Sequence, residues 1–579
     1  MMANPQGVVF NKFPKTVVKQ YQNGVIKGNK EIAEYIKNHH KNAEIIVVEC
    51  YPGVNYDVLR KTFFTHFEHT AVCVDDYALS ETLLDTKLQD HLTDDRVFGR
   101  MSQYEIEEFY PSSAEETINH MIQDLGKVIV FGFGASRMVK GDLTLYLDLT
   151  RWEIKTRYRN GLANWQSSKT DLDTLKKEKR GFFVEWRTAD RIKNTVFSDI
   201  DYYFDANDET ILKMVSQEDL FAAINETTEK PFSMVPYFDP GVWGGQWMKE
   251  VCDLDRSKEN FAWSFNGVME ENAMHYQYGE DYLASPAINL VLFKPKKLLG
   301  DKVYARFGTE FPIRFDFLDT VEGGNLSLQV HPLTEYIYSK FGMAYTQDES
   351  YYILDSNQGG IYLGLKENIN RAKMIQSLKD AEAGKAPFNA DEFINYYDVK
   401  KHDHISIPAG TVHCSATGTM VLEISATPYI FTFKMWDWGR VGLDGLPRPI
   451  HLNHAVRNIQ WDRTTKWIET ELLNQIKVLS NEAGVLEEKT GLHPRQFIET
   501  RRHTHDNKAL HSTHDSVNVL MLIEGETAIV ESPENHFEPF VVNFAETFII
   551  PEHVKTYTVR PYGASEGRTI KTIKAFVRT

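Results

Sequence analysis

Residues 325–356 read "NLSLQVHPLTEYIYSKFGMAYTQDESYYILDS", and the way this stretch pairs decides what kind of fold the chain has. Two short apolar runs, LSLQV and YYIL, flank a helical-looking segment, which predicts strand, short helix, strand. Gln329 and His331 are two apart and project from one face of the first strand, with Leu328 and Val330 turned the other way. Glu349 opens the second strand. Polar groups at such positions cost free energy unless something binds them.

Residues 401–425, "KHDHISIPAGTVHCSATGTMVLEIS", supply a partner. The PAGT segment is a tight turn that delivers His413 to the start of another strand. An amide, two imidazoles and a carboxylate form a donor set for a divalent cation with one position left open. Zinc is the first choice, and manganese and iron accept similar donors. By spacing alone, a lone strand histidine or a solvated strand-end glutamate competes on even terms with this reading.

Around this stretch the chain divides into three. Residues 1–230 alternate apolar runs (43–49, 70–76, 127–134, 143–149 and 181–186) with helical stretches such as "SAEETINHMIQDLG", which predicts an α/β layer with a mostly parallel sheet. Residues 231–479 and 480–579 are dense in short strands with Gly and Pro turns, which predicts two all-β barrels in tandem, the first with a helical insert over about 366–398. The chain has 579 residues, enough for several cores, and a formal charge of -17 that argues against nucleic-acid or anionic-membrane partners. Four dispersed cysteines fit a reducing compartment. With no apolar leader in "MMANPQGVVFNKFPKTVV" and no run of membrane-spanning length, the expected location is the cytoplasm.

In "FDPGVWGGQWM" (238–248), LSLQVHP, ESYYIL, IPAGTVH and "LEISATPYIFTFKMWDWGRVGLDGLPRPIHLNHA" (422–455), the chain resembles the class I mannose-6-phosphate isomerases, a zinc-dependent cupin family. The resemblance implies that Gln329, His331, Glu349 and His413 hold one zinc ion, and that the last region is a second, metal-free cupin (jelly-roll) barrel. It also implies exchange of mannose 6-phosphate and fructose 6-phosphate through an enediol, with a sugar phosphate as the partner. The family's catalytic arginine aligns with Lys434; Arg440 is a further catalytic candidate, and Arg448 and Arg314 are candidate substrate grips. Two family lysines are missing, with Gln347 and Asp316 in their places. A carboxylate where a phosphate would lie repels it. Isomerisation of an unphosphorylated sugar, or sugar sensing without turnover, are therefore the alternatives.

Residues 49–61, "ECYPGVNYDVLRK", faintly resemble a P-loop of the nucleoside-kinase group, but Tyr56 and Asp57 stand where a working loop has Lys and Ser or Thr. No phosphate transfer is expected of this domain. Asp75 and Asp76 read as a solvated strand end. The histidines of "RRHTHDNKALHSTHDS" (His503, His505, His511 and His514) include the HxH pair of metal-binding cupins, yet the segment is polar throughout and reads as an exposed loop.

Overall fold

The computed structural model describes residues 10–579; residues 1–9, on which the leaderless reading partly rests, lie outside the described residues. Apolar runs buried on both faces build the first sheet. Its seven strands lie in the order Ile26–Lys27, Lys213–Ser216, Tyr202–Asp205, Leu143–Asp148, Ile45–Cys50, Val128–Gly132 and Thr70–Cys73. The last five in that order run parallel, and the first two are added antiparallel.

Two sequence expectations fail in this layer. Residues 181–186 are not a strand: a π-helical turn, Gly181–Glu185, carries the helix Thr174–Arg180 into the helix Trp186–Val196. The buried ion pair between Arg180 Nε and Glu185 Oε1, 2.7 Å long and five residues apart, matches the wider turn. Asp75 is not solvated either. It is buried, and its carboxylate accepts bonds from Trp165 Nε1 (2.7 Å) and Phe133 N (3.1 Å). Burial pushes its pKa up to about 6, against the lowering effect of those bonds.

The loop after Ile45–Cys50 is closed by the protein's own groups. Asn55 caps the helix Tyr56–Thr62 by accepting from the amides of Asp57 and Val58, and Arg157 Nη1 donates to Gly53 O at 3.0 Å. The amides that would face a phosphate at a helix start are thus already satisfied.

Residues 237–436 form two facing antiparallel sheets. The six-stranded one has Asp348–Ser356, Thr419–Ala426 and Ile313–Asp319 at its centre; the five-stranded one runs Ile394–Asp398, Gly360–Leu365, His413–Ser415, Leu328–Val330, Phe433–Trp436. The insert is only partly helical: Arg371–Glu382 and one turn at Ala390–Phe393 precede the strand Ile394–Asp398. Tyr396 there packs on Tyr362 of the neighbouring strand at 5.1 Å, a cross-strand aromatic pair that favours the extended form. Residues 477–577 make a second pair of antiparallel sheets, six- and four-stranded.

The C-terminal histidines belong to this last core, contrary to the loop expectation. His503 and His505 lie on the strand Ile498–His505 and His511 on Ala509–Ser512, and all three are buried. Both faces of Ile498–His505 are covered, so the apolar alternation that announces a strand is absent from its sequence. Beside them, burial lowers the pKa of Lys574 to about 7. The unfolded chain keeps that proton to about pH 10.5, so the unfolded state binds more protons between these values, and stability rises with pH across the window. Below pH 7 the full cost of the buried charge remains. Lys574→Met is expected to raise unfolding free energy by about 3 kcal/mol at pH 7, and by progressively less toward pH 10. Urea denaturation at both values checks this.

The α/β layer and the first β region share buried contacts. Lys193 Nζ lies 2.7 Å from Asp148 Oδ2 and 3.1 Å from Asn289 Oδ1, joining the helix Trp186–Val196 to residue 289 of the β region. Phe98 stacks on Phe431 at 4.4 Å and meets Phe433 and Phe341 edge-on.

Candidate metal centre

Three strands and one strand end bring the predicted donors together. Gln329 is central in Leu328–Val330 and is paired in register with His413. His331 follows that strand directly, and Glu349 is the second residue of Asp348–Ser356. Gln329 is 8% exposed, His331 1%, and Glu349 and His413 0%. His331 Nε2 lies 3.0 Å from Glu349 Oε2, and His413 Nε2 lies 2.8 Å from Glu349 Oε1. Gln329 Nε2 is 3.2 Å from His413 Nε2.

The opposite ring nitrogens fix how these groups can be used. Nδ1 of His331 donates to Phe431 O, and Nδ1 of His413 donates to Thr411 O, each at 2.9 Å. With the proton on Nδ1, each Nε2 presents a lone pair to a carboxylate that is itself a lone-pair donor. His331 Nε2 and Glu349 Oε1 are accordingly left without a hydrogen-bond partner. A cation between them resolves this arrangement, and among the described residues His331, Glu349 and His413 are the one group of His, Cys, Asp or Glu whose ligand atoms all lie within 4.8 Å. Turning the Gln329 amide about its terminal bond offers its oxygen as a fourth donor. Two imidazoles, a carboxylate and an amide suit zinc.

A polar layer lies behind the donors. Gln347 Nε2 donates to Glu349 Oε2 and to Glu423 Oε1, both at 2.9 Å, and its Oε1 accepts from Phe431 N at 2.9 Å. Asp316 and Glu423 are register partners on adjacent strands. Burial lifts Asp316 to about 7, with Arg314 opposing the rise. Arg314 Nε lies 3.9 Å from Asp316 Oδ2 and its Nη1 donates to Pro428 O, so this arginine neutralises its neighbour.

Lys434, Arg440 and Arg448 gather elsewhere, around Asp437. Arg440 Nη2 donates to Asp437 Oδ1 at 2.6 Å, Arg448 Nε pairs with Oδ2, and Ser327 Oγ also donates to Oδ1 at 2.8 Å. Lys434 is the register partner of Gln329 on the next strand, which puts this basic group beside the metal donors. Burial, helped by nearby Arg448, lowers its pKa to about 7. Glu423 and Ser425 escaped the sequence reading. The signal was a carboxylate inside the apolar run TMVLEISA, all eight residues of which are buried.

Comparison with known proteins bears on this half of the chain. The mannose-6-phosphate isomerase ManA of Bacillus subtilis is 23% identical over 239 residues, covering 40% of this chain and 69% of that protein. Over this stretch the chain is similar to the mannose-6-phosphate isomerases. A probable mannose-6-phosphate isomerase of the same organism, GmuF, is 20% identical over 333 residues, 57% of this chain and 96% of that protein. The mannose-6-phosphate isomerase of Streptococcus mutans is 25% identical over 215 residues, 37% of this chain and 63% of that protein. Among solved structures, the mannose 6-phosphate isomerase from Bacillus subtilis superposes with a TM-score of 0.48 at 17% identity, covering 60% of this chain and 99% of that one. A mannose 6-phosphate isomerase bound with zinc and yttrium gives 0.44 at 15% identity, covering 60% and 99%. Residues 28–229, the α/β layer, match a family described as a domain of unknown function (DUF8485).

Proposed function

We propose that this isomerase relative interconverts an aldose and a ketose phosphate, mannose 6-phosphate and fructose 6-phosphate first, at a zinc ion held by Gln329, His331, Glu349 and His413. The observation that carries this reading is the convergence of two Nδ1-tethered imidazoles on one buried carboxylate. A zinc ion bound there supplies electrophilic polarisation of the sugar oxygens at C1 and C2. The chain's residues must move one proton from C2 to C1 and one between the two oxygens. Lys434, with a pKa near 7 and beside Gln329, is placed to take and return a proton at neutral pH. Arg440 and Arg448 are the phosphate grips in this reading, and the phosphate displaces part of their pairing with Asp437. The protein acts in the cytoplasm, as its four buried, unpaired cysteines support; among the described residues no helix is long and apolar enough to cross a membrane. The sheets support the division near residue 230, since among the described residues only the short pairing of Thr16–Val17 with Ala273–Tyr278 joins strands across it, and they move the second division from 479 to just before the strand Lys477–Glu482, which belongs to the last sheet.

Incubation of zinc-loaded protein with sugars and sugar phosphates in heavy water tests the reaction: deuterium enters at C1 or C2 only where an enediol forms. No label with any sugar phosphate would sink the proposal. Lys434→Ala should keep metal content and lower kcat by about 10²-fold or more. If Lys434 is the base, wild-type kcat rises with pH through 7 as its ammonium loses the proton, and this limb vanishes in the variant. A second reading, an unphosphorylated sugar, is favoured by Asp316 and Glu423 beside the donors. Label with free mannose or fructose alone would select it.

A further inference from the structure

A cleft of about 830 Å³ opens at the carboxyl ends of the strands Leu143–Asp148 and Tyr202–Asp205, against the strands Ala273–Tyr278 and Asp281–Pro286. Open parallel sheets bind their ligands outside the carboxyl ends of the strands, and this volume lies within the range of ligand sites. It shares no lining residue with the metal group.

Aromatic side chains furnish its apolar surface. Trp152 and Phe13 line it and remain 39% and 64% exposed, and Trp152 packs edge-on to Tyr237 with ring centroids 3.8 Å apart. Large exposed rings grouped along one cleft mark a binding surface. The polar lining decides the ligand's charge. Three lysines face five carboxylates, and two of those lysines are already engaged. Lys213 lies 3.9 Å over the Tyr282 ring and 3.6 Å from Asp205 Oδ2, and Lys12 lies 3.3 Å from Asp253 Oδ2. Three of the carboxylates are paired as well, Glu271 with Lys155 at 2.7 Å, Glu153 with Arg157 at 2.8 Å and Asp205 with Lys213, so the lining offers a phosphorylated ligand few free cations. Hydroxyl groups suit it better, because a carboxylate that is already paired still accepts a hydrogen bond from a neutral donor.

We propose that this cleft binds an uncharged oligosaccharide, its sugar rings lying on Trp152 and Phe13 and its hydroxyls bonded by the carboxylates of the lining. The apolar C–H face of a pyranose packs on an aromatic ring, and the cleft has room for about two or three such rings.

The test is titration of the full chain with mannotriose, cellotriose and maltotriose, followed by tryptophan fluorescence and calorimetry. At least one trisaccharide should bind saturably, with Trp152→Ala and Phe13→Ala each weakening it about tenfold. His331→Ala should leave this binding intact, which separates the cleft from the metal centre. Both aromatic residues are exposed, so melting temperatures should stay at the wild-type value. The proposal is overturned if no trisaccharide binds at about 10 mM, if binding survives in both aromatic variants, or if ATP binds the cleft and the trisaccharides do not.

Discussion

His331→Ala is expected to leave the purified chain without stoichiometric zinc and to lower sugar-phosphate isomerisation on the order of 10³-fold. The variant deletes one donor and leaves Glu349, fully buried, facing a single imidazole. An uncompensated buried carboxylate takes up a proton or reorganises, and either change destroys the anionic donor a cation needs. Elemental analysis after dialysis reads the metal, and deuterium uptake reads the chemistry. His413→Ala should behave alike, since its imidazole is tethered in the same way through Nδ1. Full zinc retention in both variants would remove the basis of the functional reading.

Lys193→Met carries the largest expected cost to stability. Its ammonium and the Asp148 carboxylate are 1% and 0% exposed and 2.7 Å apart. Methionine fills similar space but leaves the anion with only neutral donors, Tyr203 Oη and Asn289 Nδ2, both at 3.0 Å. Removing one partner of a buried pair costs about 3–5 kcal/mol. Guanidinium unfolding should show that loss, and Lys193→Met with Asp148→Asn should recover a good part of it because no charge is then stranded. A loss under about 1 kcal/mol would mean that water reaches Asp148.

Much of this was legible in the chain. Period-two spacing and a PAGT turn, both local signals, made Gln329, His331, Glu349 and His413 candidates, and the family resemblance joined them into one ligand set. The parallel layer was legible for the same reason: runs such as IIVV (45–48) are apolar throughout. Other features depend on neighbours far away in sequence. Residues 181–186 have a composition that a buried helix and a buried strand share, and only the Arg180–Glu185 pair separates them. His503, His505 and His511 were hidden because covered polar residues look like a loop until the opposing sheet is in place. Arg440 read as a catalytic candidate and Arg448 as a substrate grip, and nothing in the turn between them shows that both close on Asp437. Asp75 was misread because its donors, Trp165 and Phe133, come from distant segments.

The stacking of Phe98 on Phe431 has a practical consequence for anyone dissecting the protein. A truncated product starting near residue 231 would expose Phe341, Phe431 and Phe433 together as a sticky aromatic surface. Because Phe431 itself carries the carbonyl that orients His331, such a fragment should aggregate on expression and bind zinc weakly, so failure of the isolated half would report a missing cover rather than a missing catalyst.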